Sequence, residues 1–138
     1  KDLALSWDEV RLMSQETLVT IGAHSVSHPV LSRLTDEESF FEINQSKVRI
    51  EKETGLNIRH FAYPFGGKKE ASLREYEFAK TCHFDSAVTL VSASVMKEQV
   101  NELFQLPRIA VGMSMNEDTF DLLRFGVIQM MRNDRIPG

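Results

Sequence analysis

Only one cysteine, Cys82, occurs in the 138 residues, so the chain can form no internal disulfide. No apolar run approaches the ~20 residues that span a bilayer, so no transmembrane segment is expected. An excess of basic residues is also missing. Sixteen Lys and Arg against twenty Asp and Glu give a formal net charge of −4, which argues against nucleic acid as a partner. Four prolines and seven glycines are too few for linkers or low-complexity tracts. The first residue is Lys1 and not Met, and an upstream segment is expected to have been removed. What remains is 42% hydrophobic and 26% charged, the balance of a globular protein with a core, sized for a single domain over residues 1–138.

Helix and strand signals alternate along the chain. Ser6-Trp7-Asp8-Glu9 is a capping box that opens a short helix to about residue 14, with Trp7 as its hydrophobic anchor. Residues 17–22 are β-prone. Thr35-Asp36-Glu37-Glu38 is a second capping box, opening a long helix that Gly55 ends. Its apolar side is expected to be Phe40, Phe41, Ile43, Val48 and Ile50. Strand signals follow at 57–63, 84–90 and 104–111, the last interrupted by Pro107. Between them the spacing predicts a helix over 70–81 with Leu73, Tyr76 and Ala79 or Lys80 along one side. Asn116 caps a last helix to about residue 131. This alternation predicts an α/β fold with a parallel sheet and helices packed outside it. Right-handed crossovers then bring the loops after successive strands to one rim. Four strands cannot close an eight-stranded barrel, so the sheet is open or part of the fold is absent.

Two patches fall on that rim. His24-Ser25-Val26-Ser27-His28 places two imidazoles four residues apart, and Pro29 keeps the turn between them short. Such a pair suits zinc or another borderline divalent metal, or it is simply a pair of polar loop residues. Ser25 stands where the HExxH pattern needs its Glu. Tyr63-Pro64-Phe65-Gly66-Gly67 reads as a turn, and such a turn can also aim a backbone N–H at an oxyanion. Cys82, His83 and Asp85 form a further cluster with metal-ligand chemistry. Its simpler reading is a small buried Cys82 at a helix end and a His83 that complements the helix dipole. His60 alternates with Phe61 and reads as a surface or interhelical residue. Met113 and Met115 read as gap-fillers.

Thr20-Ile21-Gly22-Ala23-His24-Ser25-Val26-Ser27-His28-Pro29-Val30-Leu31-Ser32 closely resembles the second sequence motif of the polysaccharide deacetylases, carbohydrate esterases of the chitin- and peptidoglycan-deacetylase type. Phe61-Ala62-Tyr63-Pro64-Phe65-Gly66 resembles their third motif. Ser6-Trp7 and, on the connecting helix, Glu42-Ile43 and Ser46-Lys47 fit the spacing as well. The resemblance runs from about residue 5 to 111. It implies an incomplete or distorted (β/α) barrel and a divalent metal, usually zinc. His24 and His28 would be metal ligands, Ser25 would orient their loop, and an Asp would be the third ligand. It also implies that the Phe65 backbone N–H is an oxyanion donor, with Tyr63, Pro64, Phe65 and Gly66 lining the substrate site. The reaction implied is metal-assisted removal of N-acetyl groups from N-acetylglucosamine-type polysaccharides or oligosaccharides, and the location implied is the cell envelope or another extracytoplasmic compartment.

Departures from the family pattern shape the expectation. Nothing before His24 resembles the Asp-Asp strand end that supplies the base and the third ligand, and Asp8 and Glu9 do not match it. Ala62 stands where many members carry an Arg. Leu106-Pro107-Arg108 stands where the family's Leu-x-His supplies the general acid. Arg108 could assist there, although a guanidinium does not release a proton near neutral pH. The chain is therefore expected to be the C-terminal part of a deacetylase domain, inactive alone, with its third ligand outside it. The rival reading is a non-catalytic glycan-binding or scaffolding relative. An exposed sheet edge at 17–22 is expected to favour a homodimer.

Overall fold

The structure is a computed structural model, and it describes residues 4–95, 101–112 and 115–125. Helix α1 spans Trp7–Met13 and α2 spans Asp36–Thr54. Each starts at a capping box in which the cap hydroxyl and the carboxylate three residues on satisfy each other's backbone N–H groups, Ser6 with Glu9 and Thr35 with Glu38. Gly55 ends α2 at φ 72°, a conformation that costs glycine little. Arg11 joins the two helices through the Glu53 carbonyl at 2.9 Å, and the Arg49 guanidinium lies 5.5 Å over the Trp7 ring.

Strands β1 (His60–Ala62) and β2 (Ser86–Val88) pair in parallel, with Phe61 opposite Ala87. Single parallel bridges flank them, Ala23 to Phe61 on one side and Leu106 to Val88 on the other. Four extended segments thus lie side by side in chain order, as the alternation predicts, although only two qualify as strands. Helix α3 (Leu73–Thr81) connects β1 to β2, and α4 covers Glu117–Arg124. The remainder of the expected last helix, and Met113, lie outside the described residues.

The sheet is shorter than the sequence suggests. Residues 17–22 form no strand. Backbone hydrogen bonds from Gln15 to Leu12, Glu16 to Met13 and Val19 to Glu16 prolong α1 as successive turns. These turns take up the first part of the β-prone stretch, and Leu18 is left almost wholly exposed at 98%. The open edge is thereby reduced to the neighbourhood of Ala23.

Phe61 and Tyr63, two residues apart on one face of β1, centre the core with Phe84, Ile58, Ile43 and Ala79. Phe61 meets Tyr63 and Phe84 at ring separations of 5.2 and 5.3 Å. Helix α2 turns Ser39, Ile43 and Ser46 inward, with Ile50 packed beside them, while Phe41 and Val48 face solvent. On α3 the inward residues are Glu75 and Ala79, and Leu73 is exposed, contrary to the expected stripe. Buried Glu75 is ion-paired with Arg74 at 2.6 Å. Arg74 also reaches the Leu31 and Leu34 carbonyls and Asp36, tying α3 to the start of α2.

Candidate active site

Parallel strands present their C-terminal ends to one rim, and both unusual patches lie there. His24 follows the bridge at Ala23, and Tyr63-Pro64-Phe65-Gly66 follows β1. Cys82, His83 and Asp85 precede β2 and so lie at the opposite rim. Cys82 is buried at the end of α3, and burial pushes its thiol up to about 11 against the opposing pull of Lys47. The His83 carbonyl accepts from Lys47 at 2.7 Å, and Asp85 is ion-paired with Arg59. These contacts give that cluster a structural role away from the imidazole pair. His60 is an exposed strand residue whose Nδ1 meets the Ser86 hydroxyl at 2.9 Å.

The histidine loop is built from contacts within itself and with two neighbours. His24 Nδ1 lies 2.6 Å from the Ala62 carbonyl oxygen. A carbonyl only accepts, so Nδ1 carries the proton and the Nε2 lone pair is left free. The His28 ring lies edge-on to His24, with centroids 4.8 Å apart, and on its other side meets the Phe65 ring at the same 4.8 Å. Both imidazoles are exposed, and among the described residues neither His24 Nε2 nor either His28 ring nitrogen has a hydrogen-bond partner. Ser25 and His28 adopt left-handed backbone conformations, φ 62° and 58°, each costing about 1–2 kcal/mol for a residue with a Cβ. The Ser25 hydroxyl accepts the His28 N–H at 3.0 Å and stabilises this shape.

Glu42 on α2 supplies the rest. One carboxylate oxygen accepts the Val26 and Ser27 N–H groups at 2.8 and 2.9 Å, and the other accepts the Ser27 hydroxyl at 2.6 Å. Burial works to raise the pKa of this carboxylate, but the Ser27 hydroxyl and the two N–H groups outweigh it and hold the pKa down. A lowered carboxylate pKa means that this stabilisation is present at neutral pH and lost as pH falls through that value. Sequence reasoning noted Glu42 for its spacing and missed its contacts. The available signal was the run of loop amides before Pro29, which need an acceptor from somewhere.

The Tyr63–Gly66 turn divides its residues sharply. Tyr63 and Pro64 are buried, and the Tyr63 hydroxyl donates to the Phe104 carbonyl at 3.0 Å, with burial driving its pKa up. Their side chains therefore serve the core, and of the expected lining residues Phe65 is the one whose side chain is exposed. Phe65 is 51% exposed and sits at φ 60°. Its N–H has no partner among the described residues. Gly66 completes the turn, donating to the Pro64 carbonyl at 2.6 Å and accepting from Leu90 at 2.7 Å. A Cβ at Gly66 would lie 2.7 Å from the Leu90 nitrogen and 3.0 Å from the Tyr63 oxygen, at φ 55°. Gly66→Ala is therefore expected to cost about 2 kcal/mol or more, read as a lowered urea midpoint with an unchanged slope. Arg108 lies beyond the Leu106 bridge. Its Nε donates to the Thr89 carbonyl at 2.6 Å and its N–H to Val91 at 3.0 Å, which ties it to the loop after β2.

A catalytic zinc usually takes three protein ligands, and the paired imidazoles of His24 and His28 are candidates for two of them. Among the described residues no third His, Cys, Asp or Glu joins them. The donor set fits a divalent metal as far as it goes, because the Ala62 carbonyl fixes the His24 tautomer in the manner usual for metal-ligating histidines.

Fold and rim together define an α/β domain that carries the histidine loop and the Tyr63–Gly66 turn at the ends of parallel segments. The chain belongs to the polysaccharide deacetylase family, whose model matches residues 2–81. Among solved structures it is similar to a deacetylase of Streptococcus pyogenes determined with acetate, at 22% identity and TM-score 0.76, covering 87% of this chain and 50% of that one. A polysaccharide deacetylase from Bacillus cereus is similar at 24% identity and TM-score 0.72, covering 86% and 36%. A de-N-acetylase from Aggregatibacter actinomycetemcomitans is similar at 16% identity and TM-score 0.71, covering 86% and 53%. These likenesses show the fold. The chain spans between about a third and a half of the length of those proteins. No curated protein sequence matches it significantly.

Proposed function

We propose that this chain is part of a metal-dependent hydrolase that removes N-acetyl groups from N-acetylglucosamine-type polysaccharides. The observation that carries the reading is the proton on His24 Nδ1, held by the Ala62 carbonyl, which leaves Nε2 free beside the His28 ring nitrogens and near the Phe65 N–H, none of which has a hydrogen-bond partner among the described residues. His24 and His28 would hold zinc or another divalent metal, with an Asp from outside this chain as third ligand. The metal, when bound, supplies an activated water and polarises the acetyl carbonyl. The Phe65 N–H donates to the oxyanion that develops on that carbonyl. Ser25 and Glu42 keep the histidine loop in shape, and the Phe65 ring packs against His28. On this reading the four parallel segments belong to a (β/α) barrel completed by polypeptide outside the chain. Acetate release from N-acetylglucosamine oligomers, with and without the segment upstream of Lys1, is the test.

A non-catalytic glycan-binding relative is the second reading. It is favoured by Arg108, which stands where the acid is expected and is tied to the Thr89 carbonyl. Proton-donor chemistry from this position would need another residue.

Among the described residues no helix is long and apolar enough to cross a membrane. Ala23 bonds to β1 on one side only, and pairing of that edge with a second copy remains our expectation for the isolated chain. Light scattering at micromolar concentration should read twice the chain mass. A clean monomer removes the dimer.

A further inference from the structure

We propose that Glu42 is the positioning residue of the histidine loop, holding both imidazoles in place for the metal. The proposal rests on the metal reading above and assigns to α2 a share of the metal affinity.

The loop cannot hold this shape alone. Ser25 and His28 are both left-handed without being glycine, and Pro29 has no N–H to contribute. The N–H groups of Val26 and Ser27 converge on a single Glu42 oxygen, so successive amides enclose an anion as in a backbone nest. The Ser27 hydroxyl takes the second oxygen. Val26 and Ser27 lie midway between the two histidines, so fixing their peptide planes fixes the approach to His28 from His24. With three donors already on it, the carboxylate is engaged by the loop and is not presented as a ligand. It acts through the backbone it grips, and its hydrogen bonds go to Val26 and Ser27 and to neither imidazole. Holding the rings ready removes the ordering of the loop from the cost of metal binding. Partners one step removed from a metal typically change its affinity 10–100-fold when lost.

The test uses the whole chain, labelled with nitrogen-15 and titrated with zinc ion alone. Affinity is read from the imidazole nitrogen shifts of His24 and His28. Amide exchange is followed at Val26 and Ser27, with the Phe61 and Ala87 amides reporting on the sheet. Glu42→Ala is expected to weaken zinc binding about tenfold or more and to speed exchange at Val26 and Ser27, with the sheet amides unchanged. Glu42→Gln is expected to stay within about threefold of the unmodified chain. Its amide oxygen can accept both N–H groups, and its amino group can donate to the Ser27 hydroxyl. Zinc affinity within about twofold of the unmodified chain in Glu42→Ala overturns the proposal. If Glu42→Ala loosens the sheet itself, Ser27→Ala decides, since it removes the 2.6 Å contact and leaves α2 intact. Unchanged affinity and unchanged exchange there overturn the proposal, and a loss of both supports it. If the unmodified chain shows no zinc-dependent shift at either imidazole, the metal reading fails. The positioning role is then judged by exchange, and unprotected amides in Glu42→Ala sustain it while unchanged ones overturn it.

Discussion

Alanine at both His24 and His28 is expected to abolish zinc uptake by the chain. The structure presents two imidazoles in contact, with the free nitrogen of His24 fixed by its bond to Ala62. Nothing else among the described residues groups with them as a ligand set. Binding by the unmodified chain should therefore be weak, because a catalytic zinc site normally takes three protein ligands. Either single substitution should leave one imidazole and remove most of that affinity. The double substitution should leave none. Equilibrium dialysis followed by metal analysis reads the result. Stoichiometric zinc retained by the double variant would show that the ligands lie elsewhere.

Capping chemistry made the helices legible. Ser6 with Glu9 and Thr35 with Glu38 carry their start signals within four residues, and Gly55 carries the stop for α2. Helix faces were less legible. The inward stripe of α2 is Ser39, Ile43, Ser46 and Ile50, spaced 4, 3 and 4 apart. Counting apolar residues overlooks it, because two of the four positions hold serine. These are small side chains turned inward, and Ser46 satisfies its hydroxyl on the Ile43 carbonyl at 2.8 Å. Phe41 and Val48 are then left outside. Strand extents depended on partners and on competing turns, neither of which shows in local propensity. The turns after α1 decided the fate of Leu18 and Val19.

At the site, residue types and spacing pointed to His24, His28 and the Phe65 turn, because a shared rim follows from topology. Three determinants were not legible. The Ala62 carbonyl that orients His24 belongs to a residue with no polar side chain. Glu42 reaches the loop across fifteen or sixteen positions of sequence. The division of the turn into buried Tyr63 and Pro64 and exposed Phe65 departs from alternation: Tyr63 shares the core face with Phe61, but the left-handed Phe65, φ 60°, turns outward where a continuing strand would turn it in.

No acetate release is expected from N-acetylglucosamine oligomers incubated with this chain alone, even in excess zinc. Hydrolysis of an amide needs a base to activate water, stabilisation of the oxyanion, and an acid for the departing amine. On the proposed reading, the described residues offer the second of these in the Phe65 N–H, together with the His24 and His28 part of a metal site. Among the described residues no carboxylate joins the imidazole pair, and the Arg108 side chain is tied to the Thr89 carbonyl. Losing one member of a catalytic unit commonly costs roughly four orders of magnitude or more in turnover, so two absences should leave nothing measurable. Supplying the segment upstream of Lys1 is expected to restore activity if it brings the Asp pair to the rim beside His24. In that restored protein, His28→Ala should return the rate to background, while Phe65→Ala, which keeps the backbone N–H, should leave a measurable fraction. Efficient turnover by the 138-residue chain alone would refute the assignment of roles. Continued inactivity after the upstream segment is supplied and zinc is bound would favour the non-catalytic glycan-binding reading.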